Sequence, residues 1–181
     1  MSKMLSIKRL KKTFVLQQDQ TDCGVACLLS LTHYYGSTDT LEKLRELSGT
    51  NTTGTTLLGL YQCANKIGFT AEAFEADIEN LKALNEPCIL HVVMEGNLQH
   101  YVVCYGYDAY LEMFILGDPG KGLIELKETD LNKIWHSKAL LQLKPSESFE
   151  FKKDKNNAKW LWFKELIKDD INILTITMVI G

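Results

Sequence analysis

The stretch Gln17–Gly36, QQDQTDCGVACLLSLTHYYG, sets a cysteine directly behind Asp22 at the start of an apolar run. Val25, Leu28, Leu29, Thr32 and Tyr35 recur at helical spacing, and Gly36 supplies the stop. Cys23 then falls in the first turn of a helix, where unpaired backbone N–H groups and the helix dipole favour negative charge. The thiolate is the nucleophilic form of cysteine. A buried structural cysteine needs no such position; a reactive one does. Gly24 is expected to keep bulk away from an approaching substrate. Cys27, one turn further in, and Cys63, Cys88 and Cys104, within apolar helix or strand patterns, read as small buried hydrophobes.

The 181 residues give room for one ordinary domain and a little more. With 45% hydrophobic and 24% charged residues, three prolines and no repeat, the composition is globular. A net charge of -3 and a pI near 5.8 argue against a nucleic-acid binder, which carries a basic surplus. Five cysteines, with no CxxC, make a poor zinc site and a poor disulfide framework. The start, MSKMLSIKRLKKTFVL, lacks the apolar core of a signal peptide. A reducing cytoplasm with free thiols is therefore expected. Lys3, Lys8, Arg9, Lys11 and Lys12 read as a solvated arm.

The front third is predicted helical: Asp22 to Gly36, about Leu41 to Leu47 capped by Thr40 or Asp39, and about Thr55 to Ile67 closed by Gly68. The period then changes. FTAEAFEA, CILHVVM, HYVVCYGYD, YLEMFILGD, LIELK and KALLQLKP read as strands. Two short helices interrupt them, DIENLKALNEP and ETDLNKIWHS, the second with Thr129 as its cap. Helices first, then a mainly antiparallel sheet, make an α+β domain over residues 1–148.

Residues 149–170 read as a polar linker followed by an amphipathic interfacial helix, with Trp160, Trp162 and Phe163 beside lysines. Residues 171–181 read as the start of a first transmembrane helix, cut short, since a bilayer span needs about 20 apolar residues. The lysines ahead of it place the N-terminal domain on the cytoplasmic side.

A cysteine nucleophile needs a base, and the base an orienting group. His33 lies more than two turns along the helix from Cys23, and His136 reads as a surface residue. His91 sits among apolar residues of a strand and His100 opens one after a turn, so both remain candidates, His91 more simply as a core residue. Asp118 ends the strand that should pair with that of His100 and would fix one imidazole tautomer. Asp-Pro-Gly is also ordinary turn chemistry, and Asp108 is a rival at the far end of the histidine's strand. For the oxyanion, Gln17 and Gln18 are both suitable donors by spacing, together with the Cys23 N–H.

The motif QQDQTDCGVACLLSLTHYYG, then HYVV, then GDPGKG, resembles the double-glycine leader peptidases. These are the papain-like cysteine peptidase domains at the N-termini of bacteriocin- and lanthipeptide-exporting ABC transporters. The likeness runs from about Phe14 to Pro145. It implies Cys23 as nucleophile, His100 as base and later acid, Asp118 as orienting group and Gln17 as the oxyanion donor, and it gives His91 no catalytic part. It implies cleavage of a leader after Gly-Gly or Gly-Ala, through a cleft too narrow for larger side chains, with the leader held as an amphipathic helix on an apolar patch. It implies no cofactor for the peptidase domain, and ATP and Mg only for an ATPase domain outside this chain. It implies a full-length homodimer in the bacterial cell membrane.

Three rivals remain from the residues alone. A peptidase-like module that docks cargo without cutting would not need Cys23, His100, Asp118 and Gln17 together. Papain-like acyl or peptidyl transfer uses the same triad logic. A redox pair of Cys23 and Cys27 is disfavoured by their spacing on one helix.

Overall fold

The computed structural model describes residues 7–151. The linker, interfacial helix and membrane-helix start expected beyond Phe151 lie outside the described residues, as does Lys3. Six helices and six strands follow one another: α1 (Ile7–Thr13), α2 (Cys23–Tyr35), α3 (Leu41–Ser48), α4 (Leu57–Lys66), β1 (Phe69–Glu75), α5 (Ile78–Ala83), β2 (Cys88–Met94), β3 (Leu98–Asp108), β4 (Met113–Asp118), β5 (Gly122–Leu126), α6 (Glu128–Ile134) and β6 (Ala139–Pro145). Four helices precede the whole sheet, as the change of period predicts.

The strands form one sheet in the order β1-β6-β2-β3-β4-β5, every neighbouring pair antiparallel. The last strand does not close the sheet at an edge. β6 inserts between β1 and β2, pairing Phe69 with Pro145 on one side and Leu90 with Leu140 on the other. Alternation along each strand divides the core in two. Ile89, Tyr101, Val103, Tyr105, Ile115 and Leu141 pack with the α1–α4 layer. Leu90, Val102, Cys104, Phe114, Leu116 and Leu140 pack with Leu81 of α5 and with Leu131 and Trp135 at the end of α6.

α2 is the central helix: its first ten residues, Cys23 to Thr32, are all buried. Its polar members are satisfied from within, Ser30 Oγ donating to Ala26 O at 2.8 Å and Thr32 Oγ1 to Leu29 O at 2.8 Å. α3 is capped by Thr40, whose side chain accepts from Lys43 N. Asp39, the other cap considered, accepts from Ser37 and Lys43 instead.

Several local expectations are corrected. The basic arm is helical from Ile7, with Leu10 fully buried against the α2 layer. Arg9 donates to Tyr34 O at 2.7 Å and lies 4.4 Å from the centre of the Tyr34 ring. A single apolar residue in a basic run is enough to dock a short helix when a hydrophobic groove waits for it. α6 begins at Glu128 with Lys127 at the cap position, two residues before Thr129. Phe149, placed in the linker by composition, is buried, its ring centred 4.5 Å from that of Phe69. Gly68 makes this possible: at φ +92 it turns the chain, and a Cβ there would lie 2.7 Å from the Phe149 Cα.

Candidate active site

Cys23 is the first residue of α2 and is 7% exposed. The chain reaches it through a tight turn, Gln20–Asp22, that two anchors hold. Asp22, buried, accepts both guanidinium bonds of Arg45 from α3, at 2.8 and 2.6 Å, and a third from Asp19 N at 2.8 Å. Gln17 N donates to Pro119 O at 3.0 Å, tying the other end to the turn after β4. Arg45 holds the Asp22 carboxyl below its usual range, against burial, which pushes it up. A carboxylate directly before the nucleophile opposes thiolate formation; the guanidinium offsets its charge.

β3 runs antiparallel to β4 with Val103 opposite Gly117, so Asp118 at the end of β4 returns beside His100. The His100 Nε2 lies 2.8 Å from Asp118 Oδ1, which also accepts from Gly120 N at 2.9 Å. Nδ1 is left for the nucleophile, and hydrogen bonding to Cys23 acts on the ring. Burial opposes charge on the imidazole, but the Asp118 and Cys23 bonds outweigh it and push His100 up to about 9. Burial likewise pushes the Asp118 carboxyl up, and the His100 and Gly120 donors more than compensate, leaving it lowered. The two shifts agree: the arrangement favours an imidazolium–carboxylate pair.

Gln17 and Gln18 are equivalent by spacing; the structure separates them. Gln18 is exposed, whereas Gln17 turns inward towards the Asp118–Gly120 turn. Its side-chain oxygen is buried and has no hydrogen-bond partner among the described residues. The remaining candidates lie elsewhere. Asp108 Oδ1 accepts from Tyr110 N and Leu111 N at the opposite end of β3, an Asx turn. His33 sits at the end of α2 against Asp39 O, and His136 is exposed. Cys27 and Cys63 are buried thiols pushed up by desolvation, and all five cysteines are unbridged.

The peptidase C39 family model matches residues 11–148, which hold all four of the converging residues. The chain belongs to the peptidase C39 family. It is 35% identical over 172 residues to the lactococcin-G-processing and transport ATP-binding protein LagD of Lactococcus lactis subsp. lactis, covering 94% of this chain and 24% of that protein. It is equally similar, 35% over 175 residues with 94% and 24% covered, to the transport/processing ATP-binding protein ComA of Streptococcus pneumoniae. The chain thus spans about a quarter of the length of these relatives. Among solved structures, the peptidase domain of Streptococcus ComA superposes with a TM-score of 0.67 at 36% identity, over 73% of this chain and 97% of that one. A double glycine motif protease from an AMS/PCAT transporter, solved with its leader peptide, gives 0.65 at 26% identity, over 73% and 90%. The fold is therefore that of a C39 cysteine peptidase domain. Among the described residues no helix is long and apolar enough to cross a membrane.

Two depressions flank the C39 site. A cleft of about 590 Å³ contains Cys23; Thr52–Leu57 form one wall, and His91, Leu98, Gln99 and Tyr101 the other. A second groove of about 590 Å³ runs along Val93, Met94, Val102, Leu116, Ile124, Leu126 and Ile134, with Asp118 and Lys121 at its edge. Gly24 does not clear a path for substrate, as its position suggested. A Cβ there would lie 3.2 Å from Leu60 Cδ1 and from Tyr101 Cδ2 and 3.3 Å from Thr55 Cβ. Its role is to let α2 lie close to both walls of the cleft.

The sequence missed Arg45, Ser137 and the cleft-lining position of His91. The one signal for Arg45 was a buried-looking acid before the nucleophile, which needs a cation. Nothing local in CILHVV tells a cleft histidine from a core one.

Proposed function

We propose that this domain is a thiol endopeptidase that cuts a bacteriocin or lanthipeptide precursor after a Gly-Gly or Gly-Ala pair, as the N-terminal part of an ATP-driven exporter. The observation that carries this reading is His100 set 2.8 Å from the Asp118 carboxylate, with Cys23 acting on the same ring. The names of the relatives, processing and transport proteins and a double glycine motif protease, support it.

In the proposed reaction the Cys23 thiolate attacks the carbonyl carbon of the second glycine. The carbonyl electron pair moves to oxygen, which accepts from the Cys23 N–H at the start of α2 and from the Gln17 carboxamide. His100 then passes its Nδ1 proton to the departing amine as the C–N bond breaks, leaving a thioester. A water gives its proton to His100 and attacks the thioester. The thiolate leaves, and the leader departs with a free carboxyl. Asp118 keeps Nε2 bonded throughout. We assign no cofactor to these steps; ATP and Mg would serve an ATPase region outside this chain.

The extended end of the leader would lie in the cleft at Cys23. Its helical part would place its apolar face in the groove along Met94, Ile124, Leu126 and Ile134, whose half-buried apolar side chains suit an amphipathic helix. The domain would work on the cytoplasmic face of the bacterial membrane, joined by the segment after Phe151 to membrane helices, in a homodimer of full-length chains.

The test is incubation of the domain with a synthetic leader ending in Gly-Gly, joined to a few core residues, with products read by mass spectrometry. A cut after the second glycine, absent in Cys23→Ala, is expected. Leader binding without cleavage under reducing conditions would favour a docking module instead.

A further inference from the structure

His91 has a hydrogen-bonding arrangement that a core histidine does not need. Ser137 Oγ donates its one proton to the His91 backbone carbonyl at 2.8 Å. The same oxygen accepts from Ala139 N at 3.3 Å. Towards the His91 ring, with Nδ1 at 3.3 Å, Ser137 can therefore only accept. This fixes the neutral tautomer with the proton on Nδ1 and a lone pair on Nε2. The ring is also held by Tyr101, its partner across β2 and β3, with centroids 5.2 Å apart. Ser137 takes the Nδ1 edge of the ring, and His91 lines the cleft together with Cys23.

We propose that His91 Nε2 accepts a main-chain N–H of the substrate segment just ahead of the cut, making His91 a substrate-positioning residue locked by Ser137. The inference rests on the peptidase reading of the same cleft. The chemistry suits the substrate class: glycines offer no side chain to grip, so an enzyme selecting them must bind their backbone. An acceptor of fixed tautomer on one wall, facing the threonine-rich wall across the cleft, registers an extended chain without needing side-chain contacts. Burial lowers the His91 pKa, which favours the neutral ring; a side-chain hydrogen bond to Gln99, on the same cleft, opposes in part, and the substrate N–H would take the place of Gln99 at the ring.

The contact is made equally in the bound substrate and the transition state, so its loss raises KM and spares kcat. His91→Phe keeps a ring against Tyr101 and loses the acceptor; KM for a double-glycine leader is expected to rise about tenfold, with kcat within about twofold. His91→Gln carries an acceptor oxygen near the Nε2 position and is expected to restore most of the affinity. Alkylation of Cys23 by iodoacetamide should proceed at the wild-type rate in both, which a disturbed active site would not allow. On the wild-type chain, substrates with glycolic acid in place of one glycine remove a single N–H. One of them should lose about tenfold, and that loss should vanish in His91→Phe. An unchanged KM in His91→Phe, or equal defects in His91→Phe and His91→Gln, overturns the inference. The same affinities measured calorimetrically in a Cys23→Ala background test His91 even if no cleavage occurs, so failure of the peptidase reading stays distinguishable.

Discussion

Replacing Asp118 by Asn tests the electrostatics of the site most directly. The amide keeps an oxygen for His100 but removes the charge that, with Cys23, pushes the imidazole from 6.5 up to about 9. That difference corresponds to about 3 kcal/mol of preference for the charged ring. Burial acts the other way and Cys23 still raises the ring, so in Asp118→Asn the His100 pKa should fall clearly below about 9. Two measurements read this. In the cleavage rate, loss of the proton that His100 gives to the leaving amine sets the alkaline limb. That limb should move down from about 9 in the wild type, with kcat at neutral pH reduced about 10²- to 10⁴-fold. In stability, a folded-state pKa raised above the unfolded one stabilises fully below pH 6.5, and that stabilisation is lost as pH rises through about 9. The wild-type chain should therefore lose part of its stability between those pH values and Asp118→Asn should lose less. An alkaline limb that stays near 9 in Asp118→Asn, or an unchanged stability slope, would refute the reasoning.

Arg45→Met leaves the Asp22 carboxylate buried with backbone N–H donors from Asp19 and Gln18 and no cation. Because the Arg45 side chain is 28% exposed, the loss should be below that of a fully buried pair, about 2–4 kcal/mol by urea denaturation, and Asp22→Asn should recover part of it. A loss under about 1 kcal/mol would mean the turn before Cys23 is held by other contacts. Ile124→Asp places a charge in the groove assigned to the leader helix. It should raise KM for a full leader about tenfold or more while leaving cleavage of a short peptide lacking the helix unchanged; equal effects on both substrates would remove the groove from the reading.

Much of the site was legible because its signals are local. A cysteine after a polar run and before an apolar helix is a statement about neighbouring residues, and α2 begins where that pattern places it. The capping glycines, the strand alternation and the short helices are equally local, and their boundaries agree with the structure to within a few residues. Thr129 and the basic arm were misread because neighbours alone decided them. Lys127 caps α6, and Leu10 docks α1 on a surface the sequence does not display.

By itself the sequence determined the α+β class, the place of Cys23 at the start of α2 and, through the order of its motifs, the residues to be compared with a peptidase. Only the tertiary structure decided which partners meet. Asp22 reaches Arg45 across 23 positions, His100 reaches Asp118 across 18 and His91 reaches Ser137 across 46. The inward turn of Gln17 over Gln18 depends on its bond to Pro119, and the neighbours of β6 depend on where the rest of the sheet leaves a gap. The reason is physical. Helical period, caps and turns follow from interactions within a few residues, whereas strand order and side-chain convergence follow from closing long loops. Only the folded core repays that cost.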